Sequence, residues 1–286
     1  MTVTLDQHNM KDYQETAKGF KWEIPEYYNF ALDHFDKWTK DKTKIALITV
    51  SEDGSSSTKL TFWELSILAN KFANVLNSLG MKKGDRVLLM LPRSIEWYVA
   101  ILGIMKAGIV AMPTPNLVTG HDIEYRINSA EAVMAITNKE GAEKVDVVRT
   151  KLPSLKCSMI VGATKAGWKS FNKSMAKASR VFNPDDFVGK TKSSDPMLIF
   201  FTSGTTGNPK MVRHNQSYAI AHIVTARYIQ DLRPTDIIWV HADTGWAKTA
   251  YGKILASGSW APRFCSGEWA VNSTPSICRR SSNGTA

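Results

Sequence analysis

Cysteine is scarce in this chain: Cys157, Cys265 and Cys278 are the three among 286 residues. Their spacing fits no metal-ligand pattern and their number is odd, so zinc is not indicated and a reducing compartment is expected. Long apolar runs are missing too, and no stretch reaches the length needed to cross a bilayer, so no transmembrane segment is expected. The first residues, MTVTLDQHNMKDYQET, carry acids and lack an apolar core segment, which argues against a secretory leader and a transit peptide. A cytoplasmic location is the resulting expectation. Nor is there a block of five or six basic residues, although Lys and Arg outnumber Asp and Glu by 36 to 26, for a formal net charge of +10. Basic residues scattered in this way fit an enzyme with anionic ligands better than a nucleic-acid binder, and no nucleic-acid partner is expected.

What is present is 43% hydrophobic residues, enough to bury a substantial core. Short, continuously apolar runs alternate with stretches of helical spacing. DRVLLML (residues 85–91), IVAMPT (109–114), VMAIT (133–137) and CSMIVG (157–162) read as strands buried on both faces. SIEWYVAILGIMKAG, HDIEYRINSAEA and GAEKVDVVRTKL between them read as helices. This alternation predicts an α/β fold of mostly parallel sheets with helices on both faces, joined by right-handed crossovers.

One region departs from the mixed charge. Between Val147 and Arg180 stand eight basic residues and no acidic one. Lys169, Lys173, Lys177 and Arg180 recur at helical spacing opposite Trp168, Phe171 and Met175, so GWKSFNKSMAKASR predicts an amphipathic surface helix. Such a face can meet an acidic membrane surface or a phosphate-rich partner, a plain solvated face being the alternative.

The most specific string is FFTSGTTGNPKMV (residues 200–212). PMLIFF (196–201) predicts a buried strand, TSGTTGNPK a loop at its end, and HNQSYAIAHIVTARYIQDL from His214 onward a helix. Glycines and hydroxyls after a strand can bring backbone N–H groups and side-chain donors around an anion, which is phosphate chemistry. The Walker A pattern fails on spacing, because the fifth residue after Gly204 is Pro209.

Residues 201–210 resemble the nucleotide-phosphate loop of the adenylate-forming, or AMP-binding, enzymes, which include acyl-CoA synthetases, luciferases and peptide-synthetase adenylation domains. LTFWEL (60–65), followed by KKGDRV, and IMKAGIVAMPTPN (104–116) are similar to two further motifs of that family. EIPEYYNFALDHFDKW (23–38), DIEYRINSAEA (122–132) and ADTGWAK (242–248) look most like medium-chain acyl-CoA synthetases. The likeness runs from about Trp22 to Lys253.

The resemblance implies a two-step reaction. A carboxylate attacks the α-phosphate of ATP to give an acyl-adenylate and pyrophosphate, and coenzyme A then displaces AMP. A carboxylic acid, ATP and coenzyme A are the implied small-molecule partners, with magnesium carried on the nucleotide phosphates. It also implies that Thr202, Ser203, Gly204, Thr205, Thr206, Gly207, Asn208, Pro209 and Lys210 bind the ATP phosphates. Hydroxyls and glycine N–H groups would donate to oxygens whose charge shifts during transfer, and Lys210 would add a fixed positive charge. In the family the DTGW region approaches the acyl pocket, so Trp246 is the candidate wall, with ordinary core packing as the equal alternative. The stretch near Leu117 borders the coenzyme A channel by analogy. His214 and His222, on one predicted helix, are read as surface or helix-packing residues in preference to catalytic ones.

The departures from the family pattern set the remaining expectations. Its adenine motif, ribose-binding aspartate, hinge and C-terminal domain with the adenylation lysine have no counterpart, so no catalytic residue is assigned. After YGKIL the chain carries seven serines and two cysteines with no sustained period of 2 or 3.6. The expected organisation is a partial N-terminal AMP-binding domain over residues 1–253 and an atypical tail over 254–286. That tail reads as aberrant or frameshifted, with a real divergent tail as the alternative. Two functions stand: an acyl-CoA synthetase present as its N-terminal portion and inactive alone, or a non-catalytic phosphate-binding, nucleotide-binding or interaction fragment.

Overall fold

Successive strand residues point to opposite faces, so the period of two decides which helix each one meets. The computed structural model describes residues 8–51, 53–186, 189–202, 207–256 and the backbone of 263–267. The chain enters through α1 (Tyr13–Gly19) and α2 (Phe30–Asp33), forms the antiparallel pair β1 (Ile45–Val50) and β2 (Ser57–Thr61), and passes into α3 (Phe62–Ser78). There follow β3 (Arg86–Met90), α4 (Ile95–Lys106), β4 (Val110–Pro113), α5 (Gly120–Ala130), β5 (Met134–Thr137), α6 (Lys139–Val148) and β6 (Cys157–Ile160). Next come β7 (Lys169–Ser170), α7 (Phe171–Lys177), β8 (Pro196–Thr202), β9 (Lys210–Asn215) and α8 (Tyr218–Val224). The last are β10 (Ile237–Trp239), α9 (Ala247–Thr249) and β11 (Arg263–Gly267).

The larger sheet has the order β7-β6-β5-β3-β4-β8-β9. All its neighbours run parallel except β8 and β9. Val87, Leu89, Ala111, Met134, Ile136, Leu198 and Phe200 share one core with α3 and α4. Leu88, Met90, Val110, Met112, Ala135 and Ile199 share the other with α5 and α6. The predicted parallel sheet covered by helices on both faces is therefore the architecture that forms, and the apolar runs are continuous because both strand faces are buried.

Two of the family-like strings carry their own local explanation. In LTFWEL, Thr61 accepts from the Glu64 N–H, and the Glu64 carboxylate accepts from the Thr61 N–H, a capping box that starts α3. Thr119 and Asp122 close the same box ahead of α5. A third string is tied down by Lys106 at the end of α4. Its ammonium is wholly buried and donates to Asp36 at 2.5 Å, Asn70 at 2.8 Å and Ser66 at 3.0 Å, pinning EIPEYYNFALDHFDKW to α3 and α4. Burial pulls the Lys106 pKa down, and Asp36 opposes that shift.

Two local expectations are corrected. The helix predicted over residues 167–180 is shorter: Lys169 and Ser170 pair with β6 as β7, and α7 spans only Phe171–Lys177. Trp168 consequently belongs to the α5/α6 core, while Phe171 and Met175 belong to the α3/α4 core. The helix predicted from His214 begins at Tyr218 instead, because residues 210–215 pair antiparallel with β8. The helical turn Ala250–Leu255 follows α9, and its Ile254 and Leu255 are buried in the main core. Beyond it, residues 263–267 form β11 between β1 and β10 in the smaller sheet, of order β10-β11-β1-β2. The rest of the expected tail, 257–262 and 268–286, lies outside the described residues. Among the described residues no helix is long and apolar enough to cross a membrane.

Candidate functional site

Adjacent parallel strands whose following helices lie on opposite faces leave a crevice at their carboxyl ends, where open α/β sheets bind ligands. β3 and β4 are such a pair, since α4 joins one core and α5 the other. The turn Asp243-Thr244-Gly245-Trp246 is fastened into that crevice. The Thr244 hydroxyl donates to the Leu91 carbonyl just beyond β3, and Asn116 Nδ2 donates to the same carbonyl at 3.2 Å. Arg93 Nε donates to the Ala242 carbonyl at 3.0 Å. A Cβ on Gly245 would lie 1.9 Å from the Pro115 nitrogen, so only glycine lets this turn approach the end of β4 so closely. The family-like strings IMKAGIVAMPTPN and ADTGWAK thus meet at one place. Trp246 is 64% exposed, which removes it from the core.

β8 lies beside β4, so the phosphate-loop string leaves the same end of the sheet. Thr202 ends β8 and Lys210 begins β9, and the two are paired across the antiparallel ladder. Both are exposed. Gly207, between them, has a φ of +82°, a left-handed conformation that favours glycine. Ser203, Gly204, Thr205 and Thr206 lie outside the described residues. Asn208 is exposed, and the Pro209 carbonyl accepts the Tyr125 hydroxyl at 3.0 Å. On the other limb, the Arg126 guanidinium lies 5.2 Å from the centre of the Phe201 ring, and Tyr125 meets that ring edge-on at 6.0 Å. Consecutive residues of α5 therefore hold both limbs of the loop. Sequence reasoning missed this clamp, although DIEYRINSAEA carried its signal: an aromatic and a cation side by side on a helix that opens at the strand ends.

The histidines behind the loop pack in a column. His214 meets Phe200 edge-on at 5.9 Å and lies tilted against Tyr218 at 4.0 Å; Tyr218 meets His222 edge-on at 4.4 Å, and His222 stacks on Tyr251 at 4.9 Å. Burial, with a smaller contribution from His214, pushes the His222 pKa down to about 4. The ring is therefore neutral near pH 7, and both its nitrogens are buried without a hydrogen-bond partner. This is the environment of a packing residue. Asp243 spends one carboxylate oxygen on the Gly245 N–H at 2.8 Å, which shapes the turn.

The chain resembles known proteins in sequence and in fold. The family model described as AMP-binding enzyme matches residues 35–256. The chain is 37% identical over 272 residues to the mitochondrial acyl-coenzyme A synthetase ACSM3 of Homo sapiens, covering 92% of this chain and 45% of that protein. It is 38% identical over 251 residues to the mitochondrial acyl-coenzyme A synthetase ACSM5 of Rattus norvegicus, covering 85% of this chain and 42% of that one. Among solved structures, an acyl-CoA synthetase of Brucella canis superposes with a TM-score of 0.79 at 24% identity, over 90% of this chain and 48% of its own. The anthranilate CoA ligase AuaEII, solved with anthranoyl-AMP, gives 0.77 at 24% identity, over 85% of this chain and 45% of its own. The chain spans under half the length of each of these proteins. Both relatives are named as mitochondrial, which overturns the cytoplasmic expectation. That expectation rested on few cysteines and an acidic first segment, and neither identifies a compartment.

Proposed function

This chain belongs to the AMP-binding enzyme family, and from that premise we propose that its protein is a mitochondrial, ATP-dependent acid–CoA ligase of the acyl-CoA synthetase type. A carboxylic acid, ATP and coenzyme A are its substrates, and AMP, pyrophosphate and an acyl-CoA its products. The observation that carries the reading is the loop from Thr202 to Lys210 leaving β8 beside the crevice of β3 and β4, with its limbs held by Tyr125 and Arg126. In this reading Thr202, Ser203, Thr205 and Thr206 offer hydroxyls, and Gly204 and Gly207 offer N–H groups, to the phosphate oxygens. Asn208 and Pro209 turn the chain so that Lys210 enters β9 with its charge at the base of the loop. Stabilisation would be electrostatic and positional, which is what phosphoryl chemistry asks of a protein.

Trp246 would form the rim of the acyl site, and the exposed stretch at Leu117 would face coenzyme A. No three His, Cys, Asp or Glu side chains among the described residues could together hold a metal ion. In this reading magnesium would arrive on the nucleotide phosphates, since it prefers oxygen ligands.

The domain organisation belongs to the same proposal: residues 1–253 are a partial N-terminal AMP-binding domain and 254–286 an atypical tail, and the family match over residues 35–256 supports the first of these. A second reading is a non-catalytic phosphate-binding, nucleotide-binding or interaction fragment. Exchange of labelled pyrophosphate into ATP separates the two. Exchange that requires an added carboxylic acid, in the protein taken to the length of its relatives, supports the ligase. ATP binding without such exchange supports the fragment. Neither ATP binding nor exchange would sink both.

A further inference from the structure

The basic region between Val147 and Arg180 takes no part in the site described above. It folds into a groove of about 460 Å³ whose wall carries Lys165, Lys169, Lys173 and Lys177. These lysines come from a turn, the edge strand β7 and helix α7, so their convergence is made by the fold and not by one helix face. Trp168 closes the floor, 8% exposed, with its indole N–H donated to Asp146. Asp146 also takes the ammonium of Lys165 at 2.7 Å and Nε of Arg149 at 3.0 Å, so its charge is already spent. Lys169, Lys173 and Lys177 form no ion pair among the described residues, and all three are exposed. Three uncompensated ammonium groups on one concave surface repel one another, and an anionic partner relieves that repulsion.

We propose that this groove docks the protein on a bilayer surface rich in anionic phospholipids. The residue types choose a bilayer over a discrete polyphosphate or a nucleic acid. Every charge lining the groove is a lysine, a point charge on a flexible stem that suits a diffuse, mobile array of headgroups. No arginine fork lines it to grip one phosphate. Its tryptophan is buried, so it offers no platform for stacking a base. Val181, 78% exposed and next in the chain after Arg180, is an apolar side chain of the kind an interfacial contact uses. Docking here would leave the reaction free, because β7 is one edge of the sheet and the loop leaves β8 near the other.

Co-sedimentation tests this with vesicles of phosphatidylcholine alone and of equal parts phosphatidylcholine and phosphatidylglycerol. The 286-residue chain is expected to sediment with the anionic vesicles at low salt, and to stay in solution with the neutral ones or at about 0.5 M salt. Replacing Lys169, Lys173 and Lys177 with Gln should weaken anionic-vesicle binding about a hundredfold, whereas Arg at all three should preserve it. Replacing Lys18, Lys21 and Lys59 with Gln removes the same charge elsewhere and should cost less than about threefold. Equal losses from the two Gln triples would reduce the attraction to net charge and overturn the groove, as would loss of binding in the Arg triple. Saturable binding of inorganic tripolyphosphate with no binding to anionic vesicles would overturn the bilayer in favour of a soluble ligand.

Discussion

Lys210 stands opposite Thr202 across the antiparallel pair of β8 and β9, the last pair before the chain opens into the loop. Directly paired residues project to the same face, so a hydroxyl and an ammonium share one side of the loop's base. If that charge acts on the pyrophosphate portion of ATP, its work ends when pyrophosphate leaves. In the protein taken to the length of its relatives, Lys210→Ala is expected to slow adenylate formation by about two to three orders of magnitude. Thioester formation from preformed adenylate should fall far less. Single-turnover measurement of each half-reaction checks this, and equal losses in both would assign Lys210 to folding.

Gly245 sits where the turn meets the end of β4, and a Cβ there would lie 1.9 Å from the Pro115 nitrogen and 2.2 Å from the Thr114 carbonyl carbon. Both atoms are backbone, so neither can rotate away. Gly103 of α4 is less severe: its Cβ would come to 2.9 Å from the Ala69 carbonyl oxygen and the Phe72 side chain on α3. Gly103→Ala is expected to cost about 1–3 kcal/mol, as overpacking does, and Gly245→Ala more. Urea unfolding of the two variants gives the order directly, and a Gly245→Ala protein as stable as the parent would show that the turn is not fixed against β4.

The parallel strands β3, β4, β5, β6 and β8 were legible because each is a short, mostly buried apolar run, a local pattern that survives any tertiary context. The capping boxes at Thr61 and Thr119 are local too, although neither was picked out from the sequence. β9 was not legible: Ala219, Ile220 and Ile223 continue the apolar spacing of a helix downstream, and nothing in KMVRHN announces that β8 is its partner. Pairing across a loop is a long-range choice, and it moved His214 off the helix that carries His222. Trp168 failed for a related reason. Lys169 and Ser170 join the sheet edge beside it, and that sends Trp168 to the opposite core from Phe171. The loop string was found from its residue types, but its clamp, Tyr125 and Arg126, required two distant segments to be seen in contact.

The stacked column behind the loop gives a prediction in pH. His222 binds its proton with a pKa of about 4 in the folded chain, against an ordinary 6.5. Between those values the unfolded chain holds more protons than the folded one, so stability rises with pH across the window and falls as pH drops through it. Above about 6.5 the ring is neutral in both states and contributes nothing to the slope. His222→Phe keeps an aromatic ring against Tyr251 and removes the titration. Its stability should decline less than the parent's between pH 6.5 and 4, with the two curves parallel above that range. Thermal or urea unfolding across this interval measures the difference, and identical slopes would place the parent's acid sensitivity elsewhere.

Trp246 separates a wall from a core residue, and its exposure already divides the two. A large aromatic in the core costs about 3–5 kcal/mol when cut to alanine, whereas a surface side chain away from special features costs within about 0.5 kcal/mol. With 64% of its surface open, Trp246 belongs to the second class, and its backbone N–H donates to the Asp243 carbonyl at 3.0 Å, a bond that alanine keeps. Trp246→Ala should therefore leave the unfolding midpoint close to that of the parent. If the indole borders the acyl site, the same substitution in the protein taken to the length of its relatives should change the ratio of kcat/KM between short and long carboxylic acids. The KM for ATP should hold, because the loop and its clamp stand on β8 and α5. A pocket wall that loses an indole gains room, so the shift should favour longer or bulkier acids, by roughly ten- to a hundredfold if one or two methylene contacts are at stake. An unchanged ratio with unchanged stability would leave Trp246 a solvent-facing residue and move the acyl site to another side of the turn.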